Sequence, residues 1–406
     1  MSEILNGMRV VESSAFVAVP LAGMTLAQMG ADVIRFDRIE GGLDSKRWPV
    51  SETGKSHFWA GMNKGKRSIA INMRSEEGKE LITRIITAPG KDAGFFISNL
   101  RVRGWMDHET LSKYREDLIM VTLSGDRSGN PAVDYTVNPA LGIPHITGPE
   151  DHEDPVASAL PAWDLIAGNM VVSALLAAER RRFRSGLGDD VELSLKDVAA
   201  ATIGHLGMLG DAATSSIQRG KSGNDLYGAY GHDFVCADGT RIMLIGLTDR
   251  QWKLIVKATD SGAQFSKLAD ETGLSLNEEA NRWILRKRIS SILEPWFSKR
   301  KLSDFAKEFD SLGLTWSVFR SLKEALKYDS DLSDNNPMFT VLEQPGLGKF
   351  PVPASPVFFG HAGQNKAARA PHLGEHTEEI LSEVLRASDT EIAQLFDKGI
   401  VNGVSK

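Results

Sequence analysis

The sequence is almost without cysteine, since Cys236 is the only one in 406 residues. A single thiol cannot build a disulfide framework or a cysteine-rich metal cluster. The N-terminal residues also lack the basic region and apolar run of a secretion signal. We therefore expect a cytoplasmic protein.

Long hydrophobic runs and an excess of positive charge are missing as well. No stretch reaches the roughly 18 uninterrupted apolar residues of a membrane span, so we expect no membrane partner. Acidic residues outnumber basic ones by 53 to 47, which gives a net charge of −6. Binding to nucleic-acid phosphates requires a concentrated positive face, so we expect no nucleic-acid partner and only local anion sites.

Several common functional motifs are absent. The chain has no glycine-rich dinucleotide fingerprint after its first predicted strand, no P-loop and no nucleophile elbow of a serine hydrolase. His372 and His376 have a spacing that could place two metal ligands on one helix face, but Pro371 and Gly374 disfavour a helix there. We expect no metal site.

The sequence does contain a regular alternation of strand and helix patterns. Short β-branched or nearly continuous apolar runs predict strands, and the segments between them predict helices. The predicted strands are 8–12, 32–36, 68–71, 93–97, 118–123 and 191–195, and the predicted helices are 21–29, 76–86 and a long one from 165. This alternation is typical of βαβ units, so we predict an α/β fold with a parallel sheet.

The composition changes at 219–224, a small, polar and glycine-rich stretch that predicts a domain-crossing loop. A hairpin pattern at 233–245 and several helical patterns follow, which predict a smaller α+β domain. The predicted domains are 1–218, the N-terminal part of a large domain, 219–328, the small domain, and 329–406, a proline-rich C-terminal segment that ends in helices.

Basic side chains lie at the ends of predicted strands, where open α/β sheets bind ligands. Clustered cations suit a phosphorylated ligand, and coenzyme A carries both a 3′-phosphate and a pyrophosphate. For each cation alone, ordinary surface charge is the simpler interpretation. The candidate CoA-binding residues, which include an asparagine amide and its neighbour, are Arg38, Lys64, Lys66, Arg67, Asn99, Leu100, Arg101 and Arg103.

Asp164 precedes a long apolar run and could stand at the start of a helix. There it could cap the first backbone N–H groups, or it could be a nucleophile whose carboxylate the helix dipole keeps ionised. The two roles are compatible. At an ordinary pKa of about 3.9, the carboxylate would need no general base to attack an activated acyl group.

Four strings in order along the chain resemble the family III coenzyme A transferases, which include formyl-CoA transferase and α-methylacyl-CoA racemase. They are GADVI at 30–34, NKGKRS at 63–68, TDRQW at 248–252 and LGEHT at 373–377. The resemblance implies a Rossmann-like large domain built from both chain ends, a small domain from the middle and an interlocked homodimer. It also implies a CoA thioester substrate, with no cofactor beyond that CoA, and places the nucleophilic aspartate of the family at Asp164.

The acyl pocket departs from two branches of the family. Racemases carry a Gly-His-Asp string whose histidine transfers a proton, and the residue here in place of that histidine is Val133. Formyl-CoA transferases have a glutamine where this chain has Val17. Within the family, the chain most resembles members that transfer CoA within one molecule, so the resemblance implies an isomerase, with intermolecular transfer, racemisation and non-catalytic CoA binding as alternatives. The predicted acyl pocket consists of Val17, Ala18, Asp134, Tyr135 and Asn138.

Overall fold

A seven-stranded sheet organises the larger part of the chain in the computed structural model, which describes residues 4–100 and 104–404. A three-stranded sheet and a two-stranded hairpin complete the strand content of these residues. The strands are β1 (Arg9–Ser13), β2 (Asp32–Asp37), β3 (Arg67–Ile71), β4 (Phe95–Ser98), β5 (Ile119–Ser124), β6 (Asp189–Ser194), β7 (Tyr230–Val235), β8 (Arg241–Gly246), β9 (Thr315–Val318), β10 (Phe339–Gln344), β11 (Gly348–Pro353) and β12 (Val401–Asn402).

The helices alternate with the strands in the first half of the chain and cluster in its second half. They are α1 (Ala18–Gln28), α2 (His57–Met62), α3 (Glu76–Thr87), α4 (His108–Leu111), α5 (Asp134–Ala140), α6 (Ala162–Ser185), α7 (Leu195–His205), α8 (Met208–Thr214), α9 (Asp249–Thr259), α10 (Gly262–Thr272), α11 (Glu279–Ile284), α12 (Arg286–Ser298), α13 (Ala306–Leu312), α14 (Leu322–Tyr328), α15 (Thr377–Leu385) and α16 (Asp389–Asp397).

The strand order of the large sheet is β12-β3-β2-β1-β4-β5-β6. Strands β1 to β6 pair in parallel, and only the short β12 is antiparallel. This confirms the predicted α/β fold with a Rossmann-like sheet. The order reverses between β1 and β4, and ligands of such sheets bind at the carboxyl ends of the strands beside this reversal.

The chain divides into two compact units. The larger contains Met1–Leu141, Ala159–Thr214 and Asp329–Lys406, and the smaller contains Gly142–Ser158 and Ser215–Tyr328. Residues 142–158 thus belong to the smaller unit, although the sequence prediction placed them in the large domain. Within the smaller unit, Arg286 contacts Glu150 at 2.7 Å and Gly223 N–H donates to the Gly148 carbonyl at 3.0 Å, which fastens the inserted segment.

Helices α1 and α6 pack closely in the larger unit. A Cβ atom on Gly168 of α6 would lie 2.6 Å from the Ala18 carbonyl oxygen of α1, so glycine is needed for this approach. Helix α6 is long and apolar enough to cross a membrane by length and composition, yet Ala167, Val171 and Leu175 are fully buried within the unit. These contacts fix the start of α6 relative to the loop between β1 and α1.

The smaller unit has an antiparallel sheet, in which β8 pairs with both β7 and β9. Its core is rich in aromatic rings, with Phe297 stacked on Phe234 at a centroid distance of 4.4 Å. Residues 279–298 form two helices, α11 and α12, separated at Leu285. The proline-rich part of the C-terminal segment includes the β10–β11 hairpin.

Candidate active site

A cavity of about 750 Å³ lies in the larger unit at the carboxyl ends of β1, β4 and β5. This is the position that the reversal of strand order favours for a ligand. Its walls combine apolar and aromatic side chains with a few charged groups. Among the residues that line it are Ala15, Phe16, Val17, Arg47, Phe58, Asn99, Leu100, Ser124, Gly125, Val133, Asp134, Tyr135, Pro161 and Asp164.

Asp164 is the third residue of α6, and the N-cap position belongs to Pro161. The prediction that Asp164 caps this helix is therefore wrong. No hydrogen bond or ion pair engages its carboxylate within the described parts of the chain, residues 4–100 and 104–404. The side chain is half-buried and lines the cavity, so its oxygens are available to a ligand.

Asp134 supplies the cap that Asp164 was expected to provide. Its Oδ2 accepts hydrogen bonds from the backbone N–H groups of Trp163 at 2.8 Å and Asp164 at 3.3 Å. These are first-turn donors that a helix leaves without an internal partner. Because Asp134 takes both, the Asp164 carboxylate does not have to fold back onto its own helix.

The environment raises the pKa of Asp164 to about 6. Burial is the largest cause, the nearby Asp134 carboxylate adds to it, and the Arg47 guanidinium opposes it. The prediction of an ordinary pKa near 3.9 is thus wrong. The carboxylate is still roughly nine-tenths ionised at pH 7, and its raised basicity makes it a stronger nucleophile than a solvent-exposed aspartate.

The loop between β1 and α1 forms one wall of the cavity and holds a strained backbone. Phe16 has φ +67°, in the left-handed region that bulky residues rarely adopt. Its N–H donates to Oδ1 of the buried Asp44 at 2.8 Å. The Asn99 amide bonds the N–H and the carbonyl of Ala15 at 2.9 and 2.7 Å, so this amide holds the loop rather than standing free for CoA.

A buried ionic network lies beneath that loop. Arg35 contacts Asp37 at 2.8 Å and Asp44 at 3.0 Å, and it also donates to the Ser14 carbonyl at 3.1 Å. Lys66 contacts Glu12 at 2.8 Å, and burial lowers the pKa of Lys66 to about 8. The structure therefore assigns Lys66, a predicted CoA-binding cation, to the interior.

Two further predicted cations are also engaged by the protein. Arg67 contacts Asp32 at 2.6 Å and the two acids Glu379 and Glu383 at 2.9 and 2.8 Å. Arg67 is the first residue of β3, so it lies toward the amino ends of the parallel strands. A residue that follows a strand lies at the carboxyl ends. Lys64 is buried and donates to the Gly61 carbonyl at 2.9 Å. Neither lines the large cavity.

Arg38 follows β2 and lies at a smaller cavity of about 200 Å³, as predicted for a residue at a carboxyl end. Arg74 lines the same cavity, together with Asn72, and the sequence reasoning missed it. It follows β3 just as Arg38 follows β2, so the same rule would have found it. Arg101 and Arg103 lie outside the described residues.

The predicted acyl pocket is brought together in part. Val17, Asp134 and Tyr135 line the large cavity, as does Leu100 from the predicted CoA set. Ala18 is buried in the first turn of α1, and Asn138 accepts a hydrogen bond from Trp163 Nε1 at 3.1 Å, so neither reaches the cavity. Asn138 instead positions the residue next to Asp164.

Arg47 is a charged lining residue that the sequence reasoning missed. It lies in an irregular segment after β2, where no periodicity or motif marks it. Its guanidinium carbon is 5.1 Å from the ring centroid of Phe16 and 5.0 Å from that of Phe58. Within residues 4–100 and 104–404, no group of three or more His, Cys, Asp or Glu side chains could hold a metal ion.

The resemblance in the sequence implied a Rossmann-like large domain, and the structure has one, with Asp164 lining the cavity at its strand-order reversal. The chain belongs to CoA-transferase family III, whose sequence pattern matches residues 5–377. It is 52% identical over 404 residues to 2-methylfumaryl-CoA isomerase of Chloroflexus aurantiacus, with 99% of each chain covered.

More distant relatives match nearly the whole length of the chain. Human succinyl-CoA:glutarate CoA-transferase is 25% identical, with 98% of this chain and 90% of that protein covered. The crystal structure of a CAIB/BAIF family protein from Brucella suis matches with a TM-score of 0.75 and 23% identity, covering 94% of this chain and 99% of that one. This likeness supports the fold.

Proposed function

We propose that this chain is a 2-methylfumaryl-CoA isomerase, which moves CoA from C1 to C4 of the mesaconyl (2-methylfumaryl) group. The observation that carries the proposal is the unengaged, half-buried Asp164 carboxylate in the cavity at the strand-order reversal. The high identity to the Chloroflexus isomerase supports the choice of substrate.

The proposed reaction begins when Asp164 attacks the C1 thioester carbonyl. The C–S bond breaks, CoA leaves as a thiolate, and a mixed anhydride joins Asp164 to the acyl group. The thiolate then attacks the aspartyl carbonyl, which gives an aspartyl-CoA thioester and free mesaconate. No water is consumed in either step.

The second half repeats the first at the other end of the acid. The C4 carboxylate attacks the aspartyl thioester and displaces the thiolate, and this forms an anhydride through C4. The thiolate attacks C4, which releases mesaconyl-C4-CoA and restores the Asp164 carboxylate. Mesaconate must stay in the cavity between the halves, so apolar walls such as Val17 and Leu123 would exclude water and competing acids.

CoA itself would extend from this cavity to the cations at the carboxyl ends of β2 and β3. Arg38 and Arg74 are suited to its phosphate groups because they line one cavity. Glu40 lines it too, but within the described residues no acid lies within ion-pair distance of either arginine. Leu100 would contact the neutral part of the ligand. No cofactor beyond this CoA and no metal enters the proposed chemistry.

Two alternatives concern other chemistry in the same cavity. Intermolecular transfer would use the same aspartate, and the human relative is named for such a reaction. Racemisation needs a second proton-transfer group, and the side chain at the position of the racemase histidine is the aliphatic Val133, which lines the cavity. The residues therefore favour transfer over racemisation.

The proposed protein is a cytoplasmic homodimer of the 3-hydroxypropionate carbon-fixation cycle. An apolar surface on α6 supports self-association, since Leu165, Ile166 and Met170 line a shallow depression and Met170 is 45% exposed. An exposed apolar side chain such as Met170 could be covered in a dimer interface.

The decisive experiment compares wild type with Asp164→Asn on mesaconyl-C1-CoA, with product mass spectrometry. Asp164→Asn is expected to lower the isomerisation rate by a factor of about 10³ or more, because the amide is a poor nucleophile. Asp211→Asn, an exposed change in α8, is the matched control. Isomerised product from Asp164→Asn at the wild-type rate would refute the proposal, and ¹³C from added free mesaconate in the product would establish the intermolecular alternative.

A further inference from the structure

Arg47 is a cation in the large cavity that the reaction above leaves without a role. It lines the same cavity as Asp164, and its positive charge lowers the pKa of that aspartate. The side chain is exposed and has no acidic partner within ion-pair distance in the described parts of the chain. A guanidinium in this situation is available to an anionic ligand.

The surroundings of Arg47 hold its guanidinium in place. The rings of Phe16 and Phe58 lie at 5.1 and 5.0 Å from its Cζ, within the range of cation–π attraction. Phe16 is itself fixed, because its strained backbone is bonded to the buried Asp44. A guanidinium held on two sides loses less conformational entropy when it binds a carboxylate.

The position of Arg47 also indicates which anion it meets. The charges of CoA lie at the far end of a long neutral pantetheine arm, whereas the thioester carbonyl must reach Asp164. A cation near Asp164 therefore faces the acyl group. The acyl group of a fumaryl-type thioester carries a negative charge at the carboxylate opposite the thioester.

We propose that Arg47 binds the free carboxylate of a dicarboxylyl-CoA substrate and so selects dicarboxylyl over monocarboxylyl thioesters. This inference rests on the proposed function and deepens it. In mesaconyl-C1-CoA the C4 carboxylate occupies the Arg47 site, and in the C4 isomer the C1 carboxylate occupies it. One guanidinium thus serves both ends of the reaction, while mesaconate turns around between them.

The test uses an analogue in which a methyl group replaces the free carboxylate. Tigloyl-CoA keeps the trans double bond, the 2-methyl group and the thioester of mesaconyl-C1-CoA but has no second acid. Arg47→Gln and Arg47→Lys are measured for kcat/KM with mesaconyl-C1-CoA and for the inhibition constant of tigloyl-CoA. Lys46→Gln, a neighbouring exposed cation outside this cavity, is the matched control.

Arg47→Gln is expected to lower kcat/KM for mesaconyl-C1-CoA by about 10²- to 10³-fold and to change tigloyl-CoA inhibition by less than about threefold. Arg47→Lys is expected to lie between, because it keeps the charge but loses the planar fork. Loss of Arg47 removes a charge that lowers the pKa of Asp164, so the comparison is made at pH 8, where that carboxylate is ionised.

Equal weakening of both ligands by Arg47→Gln would overturn the inference, since Arg47 would then act on CoA or on the reacting centre. Unchanged kinetics with mesaconyl-C1-CoA would overturn it as well. Failure of the proposed function looks different, because isomerisation would then survive Asp164→Asn or be absent from wild type.

Discussion

Two groups of cations in the larger unit have opposite surroundings. Arg35 and Lys66 are nearly fully buried, and each contacts at least one carboxylate. Arg38, Arg47 and Arg74 line cavities, and within residues 4–100 and 104–404 they have no acid within ion-pair distance. Because a buried charge is unfavourable unless partners compensate it, the first group stabilises the fold and the second is left for a ligand.

The acids beside the cavity show the same contrast. Asp134 is 4% exposed and accepts two backbone hydrogen bonds, whereas the Asp164 carboxylate has no such partner in the described residues. Burial raises the pKa of both groups, but the N–H donors oppose that change only at Asp134. Residue type alone therefore does not distinguish a structural charge from a reactive one, and the distinction lies in the partners.

The largest expected effect is a difference in the free energy of unfolding between variants of the two groups of cations. Lys66→Met should lower the free energy of unfolding by about 3–5 kcal/mol, because it removes the cation that contacts the buried Glu12 carboxylate at 2.8 Å and leaves Arg35, at 3.6 Å, to compensate that charge. Arg38→Met should change it by less than about 0.5 kcal/mol, since Arg38 is exposed. Denaturant unfolding of both variants measures this difference, and equal values would remove the contrast.

A smaller effect concerns affinity. Arg38→Gln and Arg74→Gln should each raise KM for the CoA thioester by about tenfold and leave kcat unchanged, because uniform binding is lost without loss of transition-state contacts. The control is the thioester of dephospho-CoA, which lacks the 3′-phosphate. If either arginine binds the 3′-phosphate, its substitution should hardly change KM for the dephospho-CoA thioester. A tenfold rise in that KM would indicate that the arginine binds the pyrophosphate.

The smallest expected effect is a shift in pH dependence. For wild type, kcat/KM should fall as the pH drops through about 6, because Asp164 becomes protonated there. Asp134 raises that pKa by its negative charge, so Asp134→Asn should move the midpoint to lower pH. A midpoint that stays in place or moves upward in the pH–rate profile of the variant would contradict this effect of the Asp134 charge.

The fold could be predicted from the sequence to a large extent, because nearly continuous apolar strands alternate with helices. This pattern is typical of a parallel sheet that is covered by helices on both faces. The family resemblance singled out Asp164, and this residue lines the large cavity. The residue that caps α6 and the raised pKa of Asp164 could not be predicted. Both depend on Asp134, which lies 30 residues earlier in the chain and contacts the start of α6 only in the folded protein.

The cations show where local reasoning fails. A lysine before a strand and an arginine after a strand both look like strand-end cations in the sequence. In a parallel sheet the first lies at the amino ends of the strands and the second at the carboxyl ends. The burial of Lys66 is compensated by an ion pair with Glu12 of β1, which is far from Lys66 in the sequence. Arg47 lies in an irregular segment, so its place beside Asp164 depends on the packing of the β1–α1 loop and α2 rather than on any local pattern.

The left-handed backbone at Phe16 links the shape of the cavity to the interior of the protein. The Phe16 N–H donates to Asp44, and Asp44 forms an ion pair with Arg35 of β2 in the buried ionic network. A conformation of this kind persists only where its surroundings over-determine it. During evolution, the wall beside the acyl group is therefore expected to change together with these interior charges, and not by exchange of surface loop residues alone.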